Sequence, residues 1–385
     1  MKKQVRNKLR CRAGFTLVEL VVVIAIIGIL AGVGTVGYGG YIKRTNEGLD
    51  ETLYQNILYA GEIGKYQNPG VTGRVIVTTT GASVESVGAS GNPDVVKTWL
   101  KNAFGDNWAT TVKYRTDKYA NGTYGIIALP AQSVELNDDQ KANLEEFTQS
   151  NLSGKEKELA DTANNLSGLF ANWVGDKKGD AAVEQIAAKL GSEEDKTNFR
   201  TFLKKQLGDD LSKASATQLS NATVLYVASK AKDMKADQLY SDLLKIDPTN
   251  PYEAIMGVAQ NNGGILPTAA VMYGTMLGYA NSGLASDKFK EAMETPPMGI
   301  QQNRTDENGK EHLSVMNLAT MMFKDEKFGE YAKSEKKGAK SDMAGYLGAM
   351  RIINDYNVQF DISNNNAFND DQALALLQAV LNSKK

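Results

Sequence analysis

The sequence is poor in the residues that carry most metal and nucleophilic chemistry. It has one cysteine, Cys11, and one histidine, His312. Beyond Cys11 the chain therefore holds no disulfide framework and no thiolate metal site. A zinc centre built from Cys and His is excluded. A Ser-His-Asp centre would depend on His312 alone. There is no phosphate-binding loop and no nucleophile elbow. No catalytic residue, no metal and no cofactor is expected, and the chain does not read as an enzyme. Acidic residues are missing from the first twelve positions, which hold Lys2, Lys3, Arg6, Lys8, Arg10 and Arg12. The rest of the chain has 37 Lys and Arg against 45 Asp and Glu, a net of −8. A mildly acidic body argues against a nucleic-acid binder.

Behind this basic leader the chain turns apolar, and Glu19 is the only charge between Phe15 and Ile42. The 23 uncharged residues from Leu20 to Ile42 are enough, as a helix, to cross a hydrocarbon core of ~30 Å. The positive charges in front put the N-terminus in the cytoplasm and the bulk outside. Three readings fit such a segment. One is a secretory signal with small residues for cleavage near Ala31-Gly32-Val33-Gly34. The second is a plain anchor. Neither explains Glu19, because a carboxylate at a membrane centre costs on the order of 2.5–3.5 kcal/mol, less near the edge, and normally has a partner.

The third reading rests on Gly14, Phe15, Thr16, Leu17, Val18 and Glu19, with a short basic leader before them and an apolar helix after them. This pattern resembles the class III signal of type IV prepilins and of the related pseudopilins. The resemblance implies cleavage after Gly14 by a prepilin peptidase and methylation of the new N-terminus at Phe15. The apolar helix is then retained, first as anchor and later as the core of a filament. It implies, too, that Glu19 meets the terminal amine of a neighbouring subunit during assembly. Such a pairing removes two charges from an apolar place and fixes axial register. Gly28, Gly32 and Gly34 lie further along. Gly28 and Gly32 form a GxxxG pattern suited to close helix packing. The resemblance implies instead local melting of the helix on assembly, and the two readings are compatible.

From Tyr41 the helix is expected to continue as an amphipathic rod to about Tyr66. Ile42, Leu49, Leu53, Ile57 and Ala60 form its buried face, and charged residues including Asp50 occupy the rest. Asn68-Pro69-Gly70 should end it. Residues 68–130 read as a small mixed unit. It has a strand over Arg74–Thr80, a flexible loop over 81–91 and a helix opened by Asn92-Pro93-Asp94. Two further strands, Thr111–Thr116 and Thr123–Leu129, flank a hairpin turn. A long helix against a few antiparallel strands resembles a pilin head.

A boundary near Pro130 opens a mostly helical region, 131–385, with a polar loop near 294–312. Caps such as Ser192 mark its helix starts. The methionines crowded into this region read as core filler. The acidic pairs Asp138-Asp139, Asp209-Asp210 and Asp370-Asp371 read as helix N-terminal charges. His312 is read as a surface or helix-start residue without a role.

The fold expected is therefore α+β. A leader (1–14) precedes a long helix (15–67, membrane-spanning over 15–42), a small antiparallel-sheet head (68–130) and a large mostly α domain (131–385). The function expected is that of a structural subunit of a type IV pilus or pseudopilus. It would sit in the cytoplasmic membrane as a single-pass protein before assembly and in a cell-surface filament afterwards. The bulk of the α domain suggests a minor or tip subunit and leaves a major one open. The partners implied are a prepilin peptidase, other pilin subunits, an assembly platform and an ATPase. A membrane-tethered adhesin that does not polymerise is the alternative.

Overall fold

The computed structural model describes residues 17–85, 92–121, 124–130, 137–149, 151–175, 177–190, 192–247, 249–306, 308–356, 358 and 368–382. Within them, the side chains of 28–38 and of residues 252 and 380 lie outside the description.

Helix α1 runs unbroken from Leu17 to Gln67, 51 residues or ~77 Å of rod. The turn at Asn68–Gly70 ends it, with Gly70 at φ 84°, as the sequence predicts. Its C-terminal half lies on a three-stranded antiparallel sheet of order β2-β1-β3, made of β1 (Gly73–Val77), β2 (Ala82–Glu85) and β3 (Ile126–Leu129). Helix α2 (Pro93–Phe104) starts where Asn92 predicts, its side chain accepting from Val95 N. Short helices α3 (Trp108–Thr111) and α4 (Asp117–Ala120) precede β3.

Three expectations for this unit need correction. The loop expected over 81–91 contains β2, because Thr78 Oγ1 accepts from Thr80 N and Gly81 N and turns the chain into a hairpin. Residues 86–91 lie outside the described residues. Thr111–Thr116 is not a strand, because the Asp50 carboxylate takes the N–H groups of Arg115 and Thr116 that a ladder would need. Asp117–Ala120 is a helical turn where a hairpin turn was expected.

The helical region begins with α5 (Asp138–Thr148), opened by a capping box of Asn137 and Gln140. It continues through α6 (Lys155–Val174), α7 (Gly179–Ala187), α8 (Glu193–Leu207, capped by Ser192), α9 (Ala216–Lys230) and α10 (Ala236–Leu243). After these come α11 (Pro251–Asn261), α12 (Ile265–Asn281) and α13 (Asp287–Met293). Last are α14 (Val315–Lys324), α15 (Phe328–Lys333), α16 (Ala339–Asp355) and α17 (Asp370–Asn382). Helix α6 buries Leu159, Ala163, Leu166, Phe170 and Trp173, a stripe of helical period, against its neighbours. Helix α9 is buried from Leu219 to Ala228 on every side, as a central helix must be. Met272, Met276, Met316, Met322, Met343 and Met350 are buried in this core. The polar loop expected near 294–312 holds a two-strand hairpin, β4 (Arg304–Thr305) and β5 (Glu311–His312). His312 is not a surface residue. Its imidazole lies between Pro296 O (2.8 Å) and Asp306 Oδ2 (3.2 Å), largely covered.

The buried side chains form two clusters. One is the helical core, and the other lies between α1, α2 and the sheet. They meet at β3, whose outer edge would otherwise expose backbone groups for pairing with another strand. Gln378 of α17 covers it: the side-chain amide accepts from Ala128 N (3.0 Å) and donates to Ile126 O.

Candidate functional site

The feature of α1 that the fold does not consume is its N-terminal half. Leu17, Val18, Leu20, Val21, Val22, Val23, Ile24, Ile26 and Ile27 are all exposed, Leu17 by 78% and Ile24 by 61%. They point to every side of the helix. At about 1.5–3 kcal/mol for each such side chain fully buried, water is a poor final surrounding for them. A helix that is apolar all round belongs inside something. Glu19 lies in the first turn of α1 and is also exposed within this apolar sleeve.

What holds this helix out is the anchoring of its other half. The buried stripe there is Asp50, Tyr54, Ile57, Leu58, Ala60, Gly61 and Gly64. The expected face holds at its C-terminal end, where Ile57 and Ala60 are buried and Leu53 is half-buried, but it was turned too far before that: Ile42 and Leu49 are exposed, and Asp50, read as solvated, is 1% exposed. Two observations account for the rotation. A Cβ on Gly64 would fall 2.1 Å from Trp99, and one on Gly61 would fall 2.6 Å from Leu129, so both glycines are places where α2 and β3 close onto α1. The Asp50 carboxylate accepts from Arg115 N (2.7 Å), Thr116 N (2.9 Å) and Thr116 Oγ1 (2.6 Å), which supplies the partners a buried charge requires. Beside it, Tyr54, Tyr114, Tyr119 and Tyr124 form a ring cluster, with Tyr119 and Tyr124 stacked at 4.7 Å. Burial, followed by nearby acids, pushes the Tyr119 hydroxyl up to about 12, so it stays protonated.

A second charged cluster missed in the sequence joins the two cores. Arg74 of β1 faces Glu156 of α6 (3.7 Å) and Asp370 and Asp371 of α17 (3.9 and 3.5 Å). Asp370-Asp371 does open a helix, as expected, but it also supplies two of three carboxylates around one guanidinium. Burial pushes the Asp371 carboxyl up to about 6 despite Arg74, and Glu156 is raised for the same reason. Among the described residues no group of His, Cys, Asp and Glu could hold a metal ion.

Of the residues singled out in the sequence, Gly14 and Phe15 lie outside the described residues. Gly28, Gly32 and Gly34 lie within α1, which is continuous through them, and their surroundings are outside the description. Among the described residues no helix is long and apolar enough to cross a membrane. The span expected over 15–42 passes through residues 15–16 and the side chains of 28–38, which lie outside the description.

Fold and site together define a class: a head carried on a long N-terminal helix whose leading half is apolar and left for another surrounding. Residues 9–35 match the family described as the prokaryotic N-terminal methylation motif, so the chain carries the class III signal of type IV prepilins and pseudopilins. Gly14, Phe15, Glu19, Gly28, Gly32 and Gly34 all fall inside the matched stretch. No curated protein and no solved structure matches the chain.

Proposed function

We propose that the chain is a pilin-like subunit of a type IV pilus or pseudopilus, most suited by its bulk to a minor or tip position. A prepilin peptidase would cut after Gly14 and methylate Phe15. The observation that carries the reading is the exposed sleeve Leu17–Ile27 on a helix whose other end is tightly anchored. Before assembly the sleeve and the residues up to Ile42 would lie in the cytoplasmic membrane, with the head outside. After assembly, the same surface would pack on equivalent helices of neighbouring subunits, which is why one apolar surface must suit both surroundings. Glu19 would then pair with the amine of Phe15 in the next subunit, since a filament core offers it no water. Its role is positional, and the chain itself is proposed to be non-catalytic. An assembly platform and an ATPase would supply the work of extraction.

Glu19→Ala tests the assembly step. The variant should insert in the membrane at normal levels and be absent from sheared filaments. Normal incorporation would refute the role of Glu19, whereas absence of the parent chain itself from filaments would favour a tethered adhesin that never polymerises.

A further inference from the structure

The helical region contains a cavity of about 300 Å³ between the end of α7 and the segment that leads into β4. Its walls include Lys189, Met256, Ile265, Gln301, Gln302 and Arg304. The backbone of the segment is held at several points. Trp173 Nε1 donates to Pro297 O (2.9 Å), and His312 Nδ1 lies 2.8 Å from Pro296 O. Val315 N and Met316 N donate to Gly299 O and Ile300 O (2.9 Å each). Asn303 Oδ1 accepts from Ser314 N (2.9 Å) and Asn317 Nδ2 (2.7 Å). Gly299 brings Arg304 across the segment: a Cβ there would lie 3.7 Å from Arg304 Nε and 2.8 Å from Gln302 O. The cavity is thus preformed, as small-molecule sites usually are.

Its charge is one-sided. Lys189 Nζ donates to Gln185 O (3.0 Å) and sits over the Trp173 ring. Burial, followed by the charges of Arg304 and Lys177, pushes its amine down to about 8. Among the described residues no carboxylate pairs with Lys189, Arg304 or Lys177. Elsewhere the chain pairs its cations readily, as with Arg200–Glu184 and Arg351–Glu146. Cations gathered round a fixed polar cavity without a counter-charge repel one another, and an anion relieves that repulsion.

We propose that this cavity binds a sugar-sized organic anion. Its charged group — sulfate, phosphate or carboxylate — would sit between Lys189 and Arg304. The amides of Gln301 and Gln302 would take its hydroxyls, and Met256 and Ile265 would take its carbon face. This is a binding function for the α region, separate from assembly through α1. It can stand or fall without the pilin reading.

The test is titration of the full chain in detergent, by calorimetry and by saturation-transfer NMR, at ~0.15 M salt. The probes are glucuronate, glucose 6-phosphate, N-acetylglucosamine 6-sulfate, neutral glucose and inorganic phosphate. At least one charged sugar should bind, and should do so more tightly than both glucose and inorganic phosphate. Arg304→Gln, on an exposed hairpin, should weaken that binding ~10-fold or more, as should Lys189→Gln, given the strength of hydrogen bonds to charged groups. Lys213→Gln, at an exposed lysine paired with Asp210, should change nothing. The proposal is overturned if no charged sugar binds better than glucose. It is equally overturned if Arg304→Gln and Lys189→Gln, both folded by circular dichroism, bind as the parent does.

Discussion

Between Leu17 and Ile27, α1 is almost wholly apolar and exposed. Between Asp50 and Gly64 it carries a buried carboxylate and two buried glycines. Composition alone would assign burial the other way round. The difference teaches that burial within this chain follows partners rather than hydropathy. The C-terminal half has α2, β3 and the turn at Arg115–Thr116 shaped to meet it, down to bare backbone at Gly61 and Gly64. The N-terminal half has no such counterpart among the described residues. Under the proposed function its apolar surface is kept for membrane and for neighbouring subunits.

The comparison can be broken at several points, all read from denaturant unfolding of the detergent-solubilised chain. The largest effect should come from Asp50→Ala, which leaves three partly buried donors without their acceptor. At about 1–3 kcal/mol per orphaned group, and toward the low end because water reaches part of the site, a loss of roughly 3–6 kcal/mol is expected. If the loss were under about 1 kcal/mol, Asp50 would not be the anchor of the helix.

Arg74→Met comes next. It leaves Glu156, Asp370 and Asp371 facing one another without a cation, and a loss of about 3–5 kcal/mol is expected for breaking a buried pair.

Asp371→Asn should act in the opposite direction. The fold holds the Asp371 proton up to about pH 6, above the ordinary carboxylate range. Its contribution is therefore most favourable below about pH 4 and is lost as pH rises through 6. The parent should lose stability over that window. The variant should lose less, with Glu156 supplying the remaining slope, and should be about 1–3 kcal/mol more stable than the parent at pH 7.5. An unchanged slope would mean that Asp371 is ionised in the fold throughout.

The smallest effect sharpens the contrast most. Ile57→Ala, fully buried, should cost about 2–5 kcal/mol, as core truncations do. Ile24→Ala, the same substitution on the same helix, should change the unfolding of the head by no more than about 0.5 kcal/mol. Equal costs would mean that the N-terminal sleeve is part of the chain's own core.

What was legible in the sequence was the local chemistry. Asn92 and Ser192 each cap a helix where their residue type says one should start. Asn68-Pro69-Gly70 stops α1, and the GFTLVE stretch is readable because leader, glycine, carboxylate and apolar run are contiguous. What was not legible depended on distant partners. Asp50 reads as a solvated helix charge until it is placed beside Arg115 and Thr116, more than sixty residues on. Thr111–Thr116 has the β-branched composition of a strand and is denied a ladder by that same carboxylate. Arg74 looks like a surface residue in a strand whose carboxylates come from α6 and α17. His312 could not be placed without the carbonyl of Pro296 and the carboxylate of Asp306.

The central claim of the proposed function is that cleavage after Gly14 frees the start of α1 and that the helix is then retained for assembly. It is tested most directly by the intact mass of the mature chain recovered from membranes of a host with a prepilin peptidase. The expected result is a chain that starts at Phe15 and carries one added methyl group. A chain that starts near Thr35, with the sleeve removed, would contradict it.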